Sequence, residues 1–363
     1  MSIKLMAVGD IFLQTKDRVN NPLCFVQEVL KNADIVFGNL EAPVTKIQNQ
    51  SIEKAVSLKA LPENLSFLKK ANCSIVNLAN NHICDYGATG AIETIEYLSN
   101  EGIQFIGVGQ NIYDCLKEVV FKINNITATF IGFYIDGESL SSDGIYVAGM
   151  NRQLVLYRIA ELKSQYDFVI VSFHWGIENV FYPSPEQQVF ARECIDTGAS
   201  VILGHHPHRL QGIEEYDKGV IFYSLGNFNF EMCGAGISPH PELSAIADIT
   251  LHDDGSVTHT LMPIKVDNEY RPKPIAEPEQ LLKFHMHISN ISALLSSDIE
   301  KWWWFGEIAK PYLVGNGEAF LIRIRRYGIK HLYQMVSWLS SRFVIKCYVG
   351  IILRWLRRGH SQL

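Results

Sequence analysis

The chain has 363 residues, 47% hydrophobic and 19% charged, a balance that fits a globular protein with a sizeable core and excludes a disordered chain. Single cores stop growing near roughly 250–300 residues, so this length predicts one large domain with an appendage. The formal charge of −6 is uneven: residues 319–363 carry nine Lys and Arg and no Asp or Glu, which sets the tail at +9 and the rest of the chain at −15, and such asymmetry suggests an anionic partner for the tail.

Residues 3–8 read as a first buried strand. They are too short for the core of a signal peptide and run into Gly9-Asp10 instead of a small-residue cleavage site. Similar β-branched runs at 34–37, 74–79 and 168–173 end in Gly38-Asn39, Asn80-Asn81 and His174. Between them, helix-like stretches occupy 22–32, 62–71, 88–101, 151–164 and 186–197. This alternation predicts an α/β fold with a parallel or mixed sheet covered on both faces.

After His208 the pattern changes. Runs at 219–224, 245–252 and 256–265, joined by turns such as Asp253-Asp254-Gly255, predict a second, more antiparallel sheet, so the expected architecture is two stacked sheets with outer helices. Pro272, Pro274 and Pro278 mark 267–278 as a linker, since each removes a backbone donor and biases its predecessor toward extended geometry. The expected division is a main domain at 1–266, the linker, a helical aromatic-rich segment at 279–318 containing Trp302-Trp303-Trp304-Phe305, and a basic amphipathic tail at 319–363. In that tail, 328–358 reads as one long helix, broken at most near Gly350. Charges interrupt it too often for a spanning segment, and no stretch of 18 apolar residues occurs anywhere.

The seven cysteines, Cys24, Cys73, Cys84, Cys115, Cys194, Cys233 and Cys347, are odd in number and scattered, with no C-x-x-C pair, so they suggest neither a disulfide framework nor a thiolate metal site. A reducing compartment is the expectation. The predicted location is cytoplasmic, with the tail offering peripheral attachment at the inner face of a membrane.

The predicted strand ends collect metal-ligand chemistry. Asp10 follows the first, Glu41 the second in Gly38-Asn39-Leu40-Glu41, Asn81-His82 the third, His174 a later one, and Gly204-His205-His206-Pro207-His208 another. In α/β sheets such ends converge on one crevice, so residues distant in sequence can share a site. Singly, each has an ordinary alternative: Asp10 as a turn or cap residue, Asn80-Asn81-His82 as a polar turn, His174 as a hydrogen-bonded core histidine. Three imidazoles in four residues are harder to assign to packing, and an extended 205–208 would aim His206 and His208 at one centre with His205 on the other side.

The strings Gly9-Asp10, Asn39-Leu40-Glu41, Asn80-Asn81-His82 with Asp85-Tyr86-Gly87, Phe173-His174-Trp175-Gly176, Gly204-His205-His206-Pro207-His208 and Tyr223-Ser224-Leu225-Gly226-Asn227-Phe228 closely resemble the CapA-type family of poly-γ-glutamate and capsule synthesis proteins over roughly residues 3–265. That family is similar to a branch of the calcineurin-like metallophosphoesterases. The resemblance implies two stacked mixed sheets flanked by helices, one or two divalent ions (manganese, zinc or iron), and Asp10, Glu41, Asn81, His174, His206 and His208 near them. It further implies His82 as the acid for a leaving group. Two positions depart from the superfamily pattern: Phe12 stands where a ligand histidine is usual, and Glu41 is displaced from the usual bridging aspartate.

Residues expected to face a substrate are His205, Arg209, Trp175 and Asn227. Arg209 suits an anion by bidentate hydrogen bonding or pairs with a surface carboxylate, Trp175 stacks on substrate or covers the sheet end, and Asn227 orients a ligand or caps a turn. Two functions follow: a metal-dependent hydrolase of phosphoester bonds serving capsule synthesis, acting on an anionic polymer or phosphoester, or a non-catalytic metal- or polymer-binding scaffold in a membrane-associated synthesis or export complex. The tail mixes apolar residues with its cations as interfacial helices do, and docking on the acidic body or a dimer contact is its alternative. Nucleic acid is not expected, because the body is acidic and no binding motif is present.

Overall fold

The computed structural model describes residues 1–13, 21–51, 53–135, 140–142, 144–230 and 243–360, with backbone alone at 140–142 and 358–360. Cys233 lies outside the described residues.

Two mixed sheets dominate. One runs in the order Pro272–Pro274, Val257–Val266, Leu243–His252, Ser2–Ile11, Ile35–Leu40, Cys73–Asn77, Gln104–Ile106, with Asn227–Asn229 also paired to Ser2–Ile11. The other runs Ile213–Tyr216, Gly219–Phe222, Val201–His205, Phe168–His174, Ile126–Tyr134, Val119–Ile123. Ser2–Ile11 to Gln104–Ile106 are mutually parallel, as are Ile126–Tyr134, Phe168–His174, Val201–His205 and Gly219–Phe222, and the outer strands are antiparallel. A short third sheet joins Val108–Gly109, Ile145–Val147 and Leu140–Ser142.

Alternation along each strand builds the layers. Ile3, Leu5, Ala7 and Phe37 of the first sheet meet Phe130, Phe168, Ile170 and Leu203 of the second in one buried cluster, with Phe37 stacked on Phe130 at 5.9 Å. The intervening Met6, Val8 and Val36 face outward and are covered by Leu65, Leu68 and Leu98 of the helices Leu65–Lys70 and Gly87–Glu101. Val169, Val171 and Phe173 likewise meet Val155, Ile159, Phe190 and Cys194 from Arg152–Lys163 and Pro185–Thr197. Each large apolar side chain buried this way contributes about 1.5–3 kcal/mol. Pro185–Thr197 starts where its sequence says it should, with Pro185 in the first turn and a reciprocal capping box between Ser184 and Gln187.

The C-terminal segments depart from the sequence reading in three ways. Pro272–Pro274, inside the expected linker, is an edge strand paired to Val257–Val266, where proline's missing donor does little harm. The helix Lys301–Tyr327 crosses the expected 318/319 boundary unbroken and buries Trp304, Phe305 and Ile308 against the second sheet's helices. The tail helix breaks not at Gly350 but at Ser340-Ser341, giving Lys330–Leu339 and Arg342–His360. Gly350 instead lets two helices touch, since a Cβ there would lie 2.6 Å from the Gly306 nitrogen. Among the described residues no single helix is long and apolar enough to cross a membrane; the last two, bent by 49°, pass that test only as a pair.

Candidate metal centre

The ends of five strands meet at one crevice, as expected for parallel sheets. A register shift between Ala7 and Asp10 brings Asp10 opposite Asn39, and Asp10 N–H donates to Gly226 O at 2.9 Å. Gly9 makes that approach possible, because a Cβ at this position would sit 1.9 Å from the same oxygen.

Asp10 and Glu41 are both wholly buried. Around Asp10 stand Asn39 Nδ2 at 2.9 Å, His205 Nδ1 at 3.3 Å, His208 Nδ1 at 3.3 Å and the backbone N–H of His206 at 3.3 Å. Glu41 Oε1 lies 3.5 Å from His174 Nε2 and 3.7 Å from His208 Nε2, yet both its carboxyl oxygens are buried with no hydrogen-bond partner among the described residues. His174 Nε2 is also 2.9 Å from Asn81 Oδ1. Orphaned buried carboxylate oxygens are costly, and a cation is the usual partner for such a group.

Ligand atoms of Asp10, Glu41 and His208 fall within 4.8 Å of one another, as do those of Glu41, His174 and His206. Glu41 belongs to both sets. The donor mix of carboxylates and imidazoles, with the Asn81 amide beside them, suits a divalent cation.

The electrostatics match a site built for positive charge. Burial raises Asp10's pKa, but His205 and His208 outweigh it and hold the carboxyl well below the carboxylate range. Burial, with Asp10 nearby, pushes Glu41 well above its ordinary value. Burial also lowers His174 and brings His206 down to about 4, leaving neutral rings available as ligands. His208 is the exception: burial disfavours its charge, but Glu41 and Asp10 lift it to about 10.

His82 sits in the same crevice. Asn80 Oδ1 accepts from the backbone N–H groups of His82 and Ile83, and Asn80 Nδ2 donates to Leu40 O at 2.8 Å, which ties the turn to the neighbouring strand. His82 Nδ1 is 2.7 Å from Asp85 Oδ2. Asp85 in turn receives the backbone N–H of Leu58 and Lys54 Nζ, at 2.8 and 2.6 Å. Burial lowers the His82 pKa despite Asp85.

All four residues expected to face a substrate are buried. Trp175 is wholly buried, donates its indole N–H to Tyr223 O at 3.0 Å and stacks on Phe173, so it covers the sheet end. His205, also wholly buried, lies beneath Asp10 against Phe37. Asn227 is buried with Oδ1 2.8 Å from His208 Nδ1, orienting that ring. Arg209 is buried, donates to Asn179 Oδ1 at 2.8 Å and lies over the Phe181 ring. The segment 205–208 is not extended: the strand stops at His205, and His206 and His208 adopt φ values of 93° and 55°, conformations uncommon for non-glycine residues.

Residues that the sequence reading did not weigh as functional also stand here. Asn39 Nδ2 lies 3.2 Å from His174 Nδ1 as well as against Asp10, and Asn77 Nδ2 donates to Asn39 Oδ1 at 3.0 Å, an amide relay holding both. Glu178 groups with His206 and His208. An acidic residue four after a strand-end histidine was the available signal for Glu178.

Residues 4–232 match the family described as bacterial capsule synthesis protein PGA_cap. The capsule biosynthesis protein CapA of Bacillus anthracis is 33% identical over 75% of this chain and 69% of its own length, and the PGA biosynthesis protein CapA of Bacillus subtilis is 33% identical over 69% of this chain and 66% of its own. This chain therefore spans about two thirds of each relative. Among solved structures, a phosphatase from Mycoplasma pneumoniae aligns over 74% of this chain and 96% of its own at 14% identity and a TM-score of 0.47, too distant a likeness to argue from.

Proposed function

The chain belongs to the bacterial capsule synthesis protein family PGA_cap, and from that membership we propose that it is a metal-dependent hydrolase of phosphoester bonds serving capsule polymer synthesis. The carrying observation is Glu41, whose buried carboxyl has no hydrogen-bond partner among the described residues and belongs to both ligand sets. Asp10 and His208 would complete one position, His174, His206 and Asn81 the other. Bound there, divalent ions supply Lewis acidity toward a phosphoryl oxygen and a nucleophile derived from water.

The chain's own groups do the rest. Asp85 fixes the His82 ring through Nδ1 and stabilises its protonated form, so that Nε2 delivers a proton to the departing oxygen. Lys54 holds Asp85 in place. Asn39 and Asn227 keep Asp10, His174 and His208 in fixed orientations. The test is turnover of p-nitrophenyl phosphate and its diester by protein loaded with manganese, zinc or iron. No turnover with any ion, together with normal capsule production by His82→Ala and His206→Ala strains, would sink the reading.

A second reading, a non-catalytic scaffold for polymer or metal, is favoured by Phe12, which cannot ligate. Tight binding of two ions with no turnover would select it.

The tail supports a location for either reading. Ile329, Tyr333, Val336, Ile352 and Trp355 are exposed in a segment carrying nine cations and no acid, the composition of a helix lying in an anionic membrane interface.

A further inference from the structure

Phe12, standing where the resembled superfamily carries a ligand histidine, turns its ring into the core, 5.5 Å from Phe230. The opposite side of the centre is differently equipped. Glu178 leaves the end of Phe168–His174 on a loop that turns at Gly176, φ 87°. That loop is laced to the histidine loop at three points: Trp175 N–H to His205 O at 3.1 Å, Asn179 N–H to Pro207 O at 2.8 Å, and Arg209 Nη2 to Asn179 Oδ1 at 2.8 Å. Glu178 is thereby held over two rings, its carboxyl within 4.8 Å of ligand atoms on both His206 and His208.

Those two imidazoles belong to different ligand sets, His208 with Asp10 and His206 with His174. The Nδ1 atom of His206 is buried and meets no hydrogen-bond partner among the described residues. Asp10 and Glu41 are wholly buried while Glu178 is exposed, so Glu178 approaches from the solvent side. Asp10 and Glu41 offer two negative charges against the four of two divalent cations, and Glu178 offers a third.

We propose that Glu178 is the outer carboxylate ligand of a two-cation centre, joining His206 and His208 from the solvent side. The assignment rests on the metal-centre reading above. It makes the loop after the His174 strand part of the centre and explains why that loop is tied so closely to residues 205–209.

The test is Mn²⁺ titration of the full-length protein, followed by calorimetry and electron paramagnetic resonance. Wild type is expected to take up two ions and show the spectrum of a spin-coupled pair. Glu178→Gln, which changes an exposed side chain with little change in shape, should keep the first ion. The second should bind about tenfold or more weakly, the scale on which metal-site partners act, and the spectrum should become that of an isolated ion. Two ions bound by Glu178→Gln at wild-type affinity, with the coupled spectrum intact, overturn the assignment and leave the hydrolase reading standing. Failure of wild type to bind any Mn²⁺ overturns both.

Discussion

His82 and Asp85 form a buried pair, Nδ1 to Oδ2 at 2.7 Å, in which the carboxylate raises the imidazole pKa while burial lowers it. Removing the charge lets burial act alone. Asp85→Asn should therefore move the alkaline limb of the pH–rate profile to lower pH, because activity needing protonated His82 is lost once pH exceeds its pKa. General acid groups contribute typically 10²–10⁴-fold, so kcat at neutral pH should fall by about tenfold or more. An unmoved limb would show that His82 is not the acid.

Glu41 separates metal binding from folding. Its folded pKa lies above the unfolded value, so the carboxyl contributes stability at low pH that is lost as pH rises. His208, raised to about 10, behaves the same way, losing its contribution as pH climbs through that value. Metal-free protein should lose thermal stability progressively into the alkaline range. Glu41→Gln mimics the protonated carboxyl and should melt no lower than metal-free wild type at neutral pH, while losing the stabilisation that added Mn²⁺ gives wild type. Thermal melts with and without the ion, across pH, read both effects.

Gly350 and Gly306 touch where two C-terminal helices cross. Alanine normally favours a helix over glycine by about 0.5–1 kcal/mol, but a Cβ at Gly350 meets backbone at 2.6 Å. Gly350→Ala should therefore destabilise by about 1–3 kcal/mol, the range for overpacking, whereas Gly315→Ala, with nothing within 4 Å of the added carbon, should stabilise. Chemical denaturation of the two variants side by side checks the opposite signs.

How much of this was legible follows from where the physics is local. The strands Ser2–Ile11 and Phe168–His174 are readable because buried parallel strands are continuous apolar runs that give way to polar residues such as Asp10 and His174. The hairpin of Val119–Ile123 and Ile126–Tyr134 went unread, although Asn124 and Asn125, both at positive φ, are suitable residues for a two-residue turn. The convergence of Asp10, Glu41, Asn81, His174, His206 and His208 could be inferred from strand ends. The turned conformations of His206 and His208 could not, since contacts distant in sequence impose them. Glu178 offers the sequence only a weak signal, its spacing from His174, because its place beside His206 and His208 depends on a loop tied to Pro207 and Arg209. The packing role of Gly350 is not legible either, because only the partner helix reveals why a side chain is missing there.

Trp355 is 73% exposed and Ile352 56% exposed, so neither supports the fold, and their exposure on a cationic helix is the feature that needs a partner. A free helix face of this composition gains by entering the headgroup region, where apolar burial and attraction to anionic lipid act together, each cation contributing about 1 kcal/mol near such a surface. Docking on the acidic body accounts for part of the charge, since Lys330 pairs with Glu53 and Arg354 with Glu307, but it leaves these apolar side chains in water. Ile352→Glu with Trp355→Glu should abolish flotation with vesicles containing phosphatidylglycerol and leave the melting temperature unchanged. Binding of wild type should weaken with rising salt and be absent from vesicles of neutral phosphatidylcholine. Equal flotation of wild type and the double variant would show that this face serves another contact.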